Sequence, residues 1–298
     1  MQLLWAQWGV HIGLAEFAAA DQVASQLLEV GRANDDQEAL LGGLQALGSS
    51  AVHQGRLVDG RELLREAVTV ADRLADPSLA ERFFQHPSVF ARSFLALAEW
   101  LLGEDDEALS LSTEAVSLAR SVARSPIHAG AEPVLRRVAC GVSARRADGV
   151  KAGRGVTATA VEHQFTMIES MAAIFAAWAG AHSGSPAVAD QDIAAALRAL
   201  ARARTRMVTP LFLALHAEVR MLSGERDAAL ASVELGLAEI AGLGERFYEA
   251  ELHRLRAQLW ASVAVEQAVT ECQCAVTVAR AQGARSLEHR ALASLRAL

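Results

Sequence analysis

The sequence predicts an all-α protein built as a stack of helical hairpins. Three observations lead there: a composition rich in Ala and Leu, a small-residue pattern that recurs at fixed spacing, and glycines where that pattern needs turns. Of 298 residues, 52% are hydrophobic, with only 6 Pro and 1 Tyr. Ala and Leu favour helices and few residues are β-branched, so a large sheet is not expected.

The recurring pattern has a small residue, a Gly seven on, a small residue five further, and another seven beyond. Gly48, Gly55, Gly60 and Ala67 fit it, as do Ala96, Gly103, Ala108 and Ala115. Ala177, Gly184, Ala189 and Ala196 form a third copy, and Ala217, Gly224, Ala229 and Gly236 a fourth. Weaker units occur at Trp8, Ala15 and Ala20 and at Ala257, Ala268 and Ala275. Each Gly belongs at the tight turn between two helices, where left-handed backbone is needed. The small residues belong where those helices cross. A hairpin has one apolar face that its own partner cannot cover, so neighbours must stack.

The elements follow in order. Hairpins are expected at about 2–32, 36–72 and 89–123, a degenerate one at 126–162, then 165–205, 208–241 and 245–281. A capping helix is expected at 286–298, with Arg285, Glu288, His289, Arg290 and Arg296 supplying a polar outer face. Residues 73–88, with Pro77 and Pro87, form an insertion, and 148–157 reads as a loop. Acids following the turns, Glu104 to Asp106 and Glu225 with Asp227, suit the positive end of a helix dipole. The whole, 1–298, reads as one continuous solenoid.

The spacing is that of tetratricopeptide repeats, with a longer period near 40. The segments His86–Arg120, Gly244–Trp260 and Glu271–Leu298 resemble the C-terminal repeat region of bacterial STAND-type predicted ATPases. The tail carries the resemblance best: Arg280, Gln282-Gly283-Ala284, Ser286-Leu287-Glu288 and Arg290. Such regions follow an NTPase domain, often in adenylate-cyclase-associated or LuxR-type regulators. The resemblance implies a tetratricopeptide-like α-solenoid, a right-handed superhelix, serving as a sensor or scaffold. ATP hydrolysis does not carry over, because no G-x-x-x-x-G-K-[ST] is present and Lys151 is the sole lysine. His86 stands where related sequences tend to carry Asp, and 125–163 matches poorly.

Composition narrows the function further. A net charge of −7 argues against general nucleic-acid binding. No uninterrupted apolar run is long enough to span a membrane, and residues 1–9 lack the basic region of a signal peptide. Three cysteines, Cys140, Cys272 and Cys274, suit a reducing cytoplasm. No H-E-x-x-H or paired cysteine framework points to a metal, and no cofactor is expected. Between Arg120 and Arg154 eight basic residues face only Glu132 and Asp148, a patch that reads either as an anion contact or as a solvated face.

The first helix of each hairpin should line the concave side of the stack. Projecting the register inward gives the candidate ligand-binding residues Gln45, His53, Phe90, Ser93, Trp100, Met171, Trp178, His182, Glu218 and Arg254. This apolar, aromatic lining with a few polar groups suits a small hydrophobic molecule or a segment of a protein partner. It equally suits plain core if the superhelix is tightly wound. No catalytic residue is assigned. A non-enzymatic scaffold or sensor in bacterial signalling or transcription regulation is the leading expectation. An enzyme or sequestering protein for a bulky metabolite, using His53, His182 and Glu218, is the alternative. The sequence sets no oligomeric state.

Overall fold

The computed structural model describes residues 1–74, 76, 78–83, 85–122 and 166–298. Within them the chain is all-α, with fourteen helices and no strand. The expected degenerate hairpin at 126–162, the loop at 148–157 and nearly all of the basic patch lie outside the described residues.

The first half comprises α1 (Gln2–Gly13), α2 (Phe17–Asn34), α3 (Gln37–His53), α4 (Leu57–Leu74), α5 (Leu79–Arg82), α6 (Pro87–Leu101) and α7 (Asp105–Val122). The second comprises α8 (Thr166–Ala181), α9 (Pro186–Arg202), α10 (Thr209–Leu222), α11 (Arg226–Leu243), α12 (Glu249–Trp260), α13 (Val265–Gln282) and α14 (Arg285–Arg296). Consecutive helices pair as α1/α2, α3/α4, α6/α7, α8/α9, α10/α11 and α12/α13. Successive hairpins pack on one another from α1/α2 to α6/α7 and again from α8/α9 to α12/α13, and α14 packs on α12 and α13.

Local chemistry explains the element ends. The Asp36 carboxylate accepts the backbone N–H groups of Glu38 and Ala39, capping α3. Pro87, Pro186 and Pro210 sit in first turns, where the missing N–H costs nothing. The four turn glycines picked out by spacing, Gly55, Gly103, Gly184 and Gly224, all take positive φ, between +76° and +112°. In the weaker first unit Ala15 occupies the same place, with φ +58° despite its Cβ.

The repeated small residues sit at close helix crossings. A Cβ on Gly48 would lie 2.7 Å from Leu64 Cγ, and one on Gly60 2.7 Å from Val52 Cγ2, so α3 and α4 touch almost backbone to backbone. Ala96, Ala108, Ala115, Ala217 and Ala229 are buried at the equivalent places.

The insertion before α6 adds to the core. Arg82 bridges Asp76 at 2.8 Å and Glu38 at 2.9 Å, fixing the short α5. Phe83, directly after it, is 1% exposed, stands edge-on to Trp5, and accepts the Trp5 indole N–H at 2.9 Å.

Backbone carbonyls at three turns join the beginning of the chain to its end. The Gly13 carbonyl accepts the N–H groups of Arg206 and Met207, at 2.8 and 3.3 Å. The His53 carbonyl accepts those of Arg246 and Phe247, at 2.8 and 3.2 Å. The Trp100 carbonyl accepts the Ser286 hydroxyl at 2.6 Å. The turns after α1, α3 and α6 thus meet the starts of α10, α12 and α14, advancing one hairpin on each side at every step. The described first three hairpins therefore lie against the last part of the chain.

Candidate functional site

First helices of successive hairpins bring polar side chains into one connected cluster. On α8, Trp178 donates its indole N–H to Glu218 Oε2 of α10 at 2.7 Å. On α12, Glu251 accepts both arms of Arg254, at 2.7 and 3.0 Å. From α14, Arg290 reaches Glu251 Oε1 at 2.6 Å and Glu218 Oε1 at 3.7 Å. Arg254 also donates to Ser294 of α14 at 3.4 Å. His182, one turn beyond Trp178, sets its ring edge-on to the indole with centroids 5.0 Å apart.

The two carboxylates differ in their neutralisation. Burial pushes Glu251 up, but the Arg254 and Arg290 guanidinium groups outweigh it and hold the acid below its usual range. Burial also pushes Glu218 up, the Glu251 charge pushes the same way, and the more distant arginines do not restore it. Arg254 and Arg290 both lie above their ordinary value: burial opposes this, and Glu251 more than compensates. Burial first, then the Glu251 charge, keeps the Tyr248 hydroxyl neutral. Glu251 is therefore a closed ion pair, whereas Glu218 retains a carboxylate that is incompletely paired and 18% exposed on its side chain. An acceptor beside an indole can hold a donor or a cation.

The other sequence-predicted residues are buried, on α3, α6 and α8. Gln45 is fully buried and donates to the Pro87 carbonyl at 2.6 Å, tying α3 to the start of α6. Phe90 packs edge-on against Trp5 and Trp8 and lies 4.7 Å from Phe94. Ser93 spends its hydroxyl on the Val89 carbonyl. Trp100 and Met171 are 5% and 4% exposed. His53 stands among Phe17, Phe94 and Phe247 and pairs through Nδ1 with Glu245 at 2.6 Å. Trp178, His182, Glu218 and Arg254 thus join in one network, while Gln45, His53, Phe90 and Ser93 are held by contacts of their own.

Sequence reasoning missed Arg290 as a member of the cluster, and it missed the contacts of Arg285 on the same helix. Arg285 and Arg290 were expected on the polar outer face of the capping helix. Instead Arg290 turns toward Glu251, and Arg285 donates to the Leu102 carbonyl and to Glu104, both at 2.6 Å. Periodicity could not show this, because the chain's return to α6 is a long-range event. Glu245 had no motif to mark it, as its partners His53 and the Val208 N–H are distant in sequence.

A hollow of about 580 Å³ also opens between α8 and α9, walled by Ala173, Ala177, Ala189 and Ala196, with Glu169 and Asp192 among its polar groups. It follows from small residues at a helix crossing and lacks the converging polar partners of the Trp178 cluster. Among the described residues no group of His, Cys, Asp and Glu could hold a metal ion, and no helix is long and apolar enough to cross a membrane.

No family profile matches the chain. An uncharacterized protein of Rhizobium meliloti (strain 1021) is 30% identical over 216 residues, which is 68% of this chain. The chain spans about a fifth of the length of this curated relative. The similar segment therefore belongs, in that protein, to a polypeptide about five times as long as the aligned stretch.

Proposed function

We propose that the chain is a tetratricopeptide-like α-solenoid, a right-handed superhelix of helical hairpins, acting as a non-enzymatic scaffold or sensor in bacterial signalling or transcription regulation. It binds a protein partner or a small hydrophobic molecule on its concave side. The observation that carries this is the chain of contacts Trp178–Glu218–Arg290–Glu251, in which α8, α10, α12 and α14 each contribute a side chain to one connected, largely buried cluster with Glu218 at its more exposed end. Repeat proteins bind in this way, because equivalent positions of stacked units line one face. The size of the Rhizobium relative supports a module that works within a larger protein. Binding would act by selecting one arrangement of the stack over another.

The enzyme alternative has less support. His53 pairs with Glu245, while His182 and Glu218 both touch Trp178. A general base needs its partner within hydrogen-bond reach, and no contact joins His53 to Glu218.

Native mass spectrometry of protein from a host close to its source tests the reading. A stoichiometric mass excess that Trp178→Ala abolishes supports the cluster as the binding site. An excess that survives Trp178→Ala and Glu218→Gln in a folded protein places binding elsewhere.

A further inference from the structure

The helix α14 packs on α12 and α13 through Leu287 and Ala291, and polar contacts anchor it along its length. Of its twelve residues only Leu287 and Ala291 are buried. Arg285 donates to the Leu102 carbonyl and to Glu104, and Ser286 donates to the Trp100 carbonyl, each at 2.6 Å. Five residues on, Arg290 meets Glu251 and Glu218. The helix therefore spans from the end of α6, early in the chain, to α10 and α12, late in it.

Its length sits at the lower limit for a helix stable alone, so it holds its shape through what it touches. The surface beneath it has a distinct chemistry. The end of α6 presents carbonyls at the negative end of a helix dipole, with Glu104 beside them. Glu218 and Glu251 add two carboxylates, and Arg254 answers only one of them closely. With α14 lifted, the Trp100 and Leu102 carbonyls lose side-chain donors and Glu218 loses its arginine. The exposed strip is acidic and acceptor-rich. It matches a helix with arginines five residues apart and leucine between them, as Arg285, Leu287 and Arg290 are on α14.

We propose that α14 is a detachable clasp, and that the strip it covers, from the Trp100 and Leu102 carbonyls to Glu218 and Glu251, is a docking site for an arginine-bearing amphipathic helix of a partner protein. The chain's own α14 is the resting occupant. This rests on reading the concave side as a binding surface, and adds the occupant and its chemistry.

Two measurements test it. Native-state hydrogen exchange on the intact chain should show the amides of Arg285–Arg296 opening at least about tenfold more readily than the buried ones of α12, without α10 opening. Exchange of α14 and α12 in one cooperative step overturns the clasp. In the second, a labelled peptide of residues 284–298 is titrated into the full chain and into the Arg285→Ala/Arg290→Ala variant, whose folding is checked by protection of α2–α4. Binding to the variant at least about tenfold tighter than to the wild type supports the docking site, since the competing occupant has been weakened. Equal binding to both, or binding unchanged when both peptide arginines become Gln, overturns it. If the variant does not fold, excess unlabelled peptide is added to the wild type instead: faster α14 exchange supports the site and unchanged exchange overturns it. A clasp that opens but takes no peptide defeats this docking site and leaves the scaffold reading to its own mass-spectrometric test.

Discussion

His53 and Glu245 stand 192 residues apart in sequence, yet His53 Nδ1 lies 2.6 Å from Glu245 Oε1 with both side chains almost wholly out of solvent. The same carboxylate oxygen accepts the Val208 N–H at 2.8 Å. One acid thus joins the end of α3 to the turns before α10 and α12.

Removing that acid should be costly. Glu245→Ala leaves the His53 ring nitrogen and the Val208 N–H without their acceptor in a dry site, an expected loss of about 3–5 kcal/mol. Glu245→Gln keeps an acceptor oxygen and should lose less. Urea unfolding of both variants measures the difference, and equal losses would contradict the assignment.

The turn residues should respond in opposite directions. Gly103 has φ +87°, and an added Cβ would come 3.0 Å from Arg285 Cβ, so Gly103→Ala should cost at least about 1 kcal/mol. Ala15 already carries a side chain at φ +58°, so Ala15→Gly should be neutral or stabilising by up to about 1 kcal/mol. Paired thermal melts read both signs.

Glu218 should leave a mark on the pH dependence of stability. Its folded pKa lies above the ordinary glutamate value of 4.5, so the folded state holds the proton more tightly than the unfolded state. Its stabilising contribution is therefore full below 4.5 and is lost as pH rises through the raised value. Glu218→Gln retains an acceptor for the Trp178 indole and does not ionise. The variant should match or exceed wild-type stability at neutral pH, with the difference shrinking as pH falls toward 4.5. Denaturation at a series of pH values checks the slope, and an advantage for the wild type that grows with pH would refute it.

The insertion should behave as core. Phe83 is fully enclosed against Trp5, so Phe83→Ala should cost about 3–5 kcal/mol, as large a loss as truncating a residue inside a regular hairpin. A loss under about 1 kcal/mol, the scale of a surface substitution, would show that the segment only covers the hairpins.

Much of the local architecture was legible in the sequence. Spacing located Gly55, Gly103, Gly184 and Gly224, and left-handed turns occur at each, because few other residues tolerate that backbone. The close packing of Gly48 and Gly60 follows from the same pattern, since helix crossings at that distance admit no larger side chain. The inward register named ten residues as one lining, and the structure joins Trp178, His182, Glu218 and Arg254 of them in a network while Gln45, His53, Phe90 and Ser93 have separate partners. These features repeat within about 40 residues, and a repeat is visible in one dimension.

Only the tertiary structure decided what that inner face meets. The sequence by itself determined the all-α class, the pairing of helices into hairpins and the positions of the glycine turns. It could not determine that the end of α6 receives Ser286, that His53 receives Glu245, or that Arg290 turns in to Glu251. The physical reason is range: which distant turns meet depends on the packing of all the helices between them. No single residue encodes that sum, so the partners of His53, Trp100 and Glu251 emerge only when the hairpins have packed together.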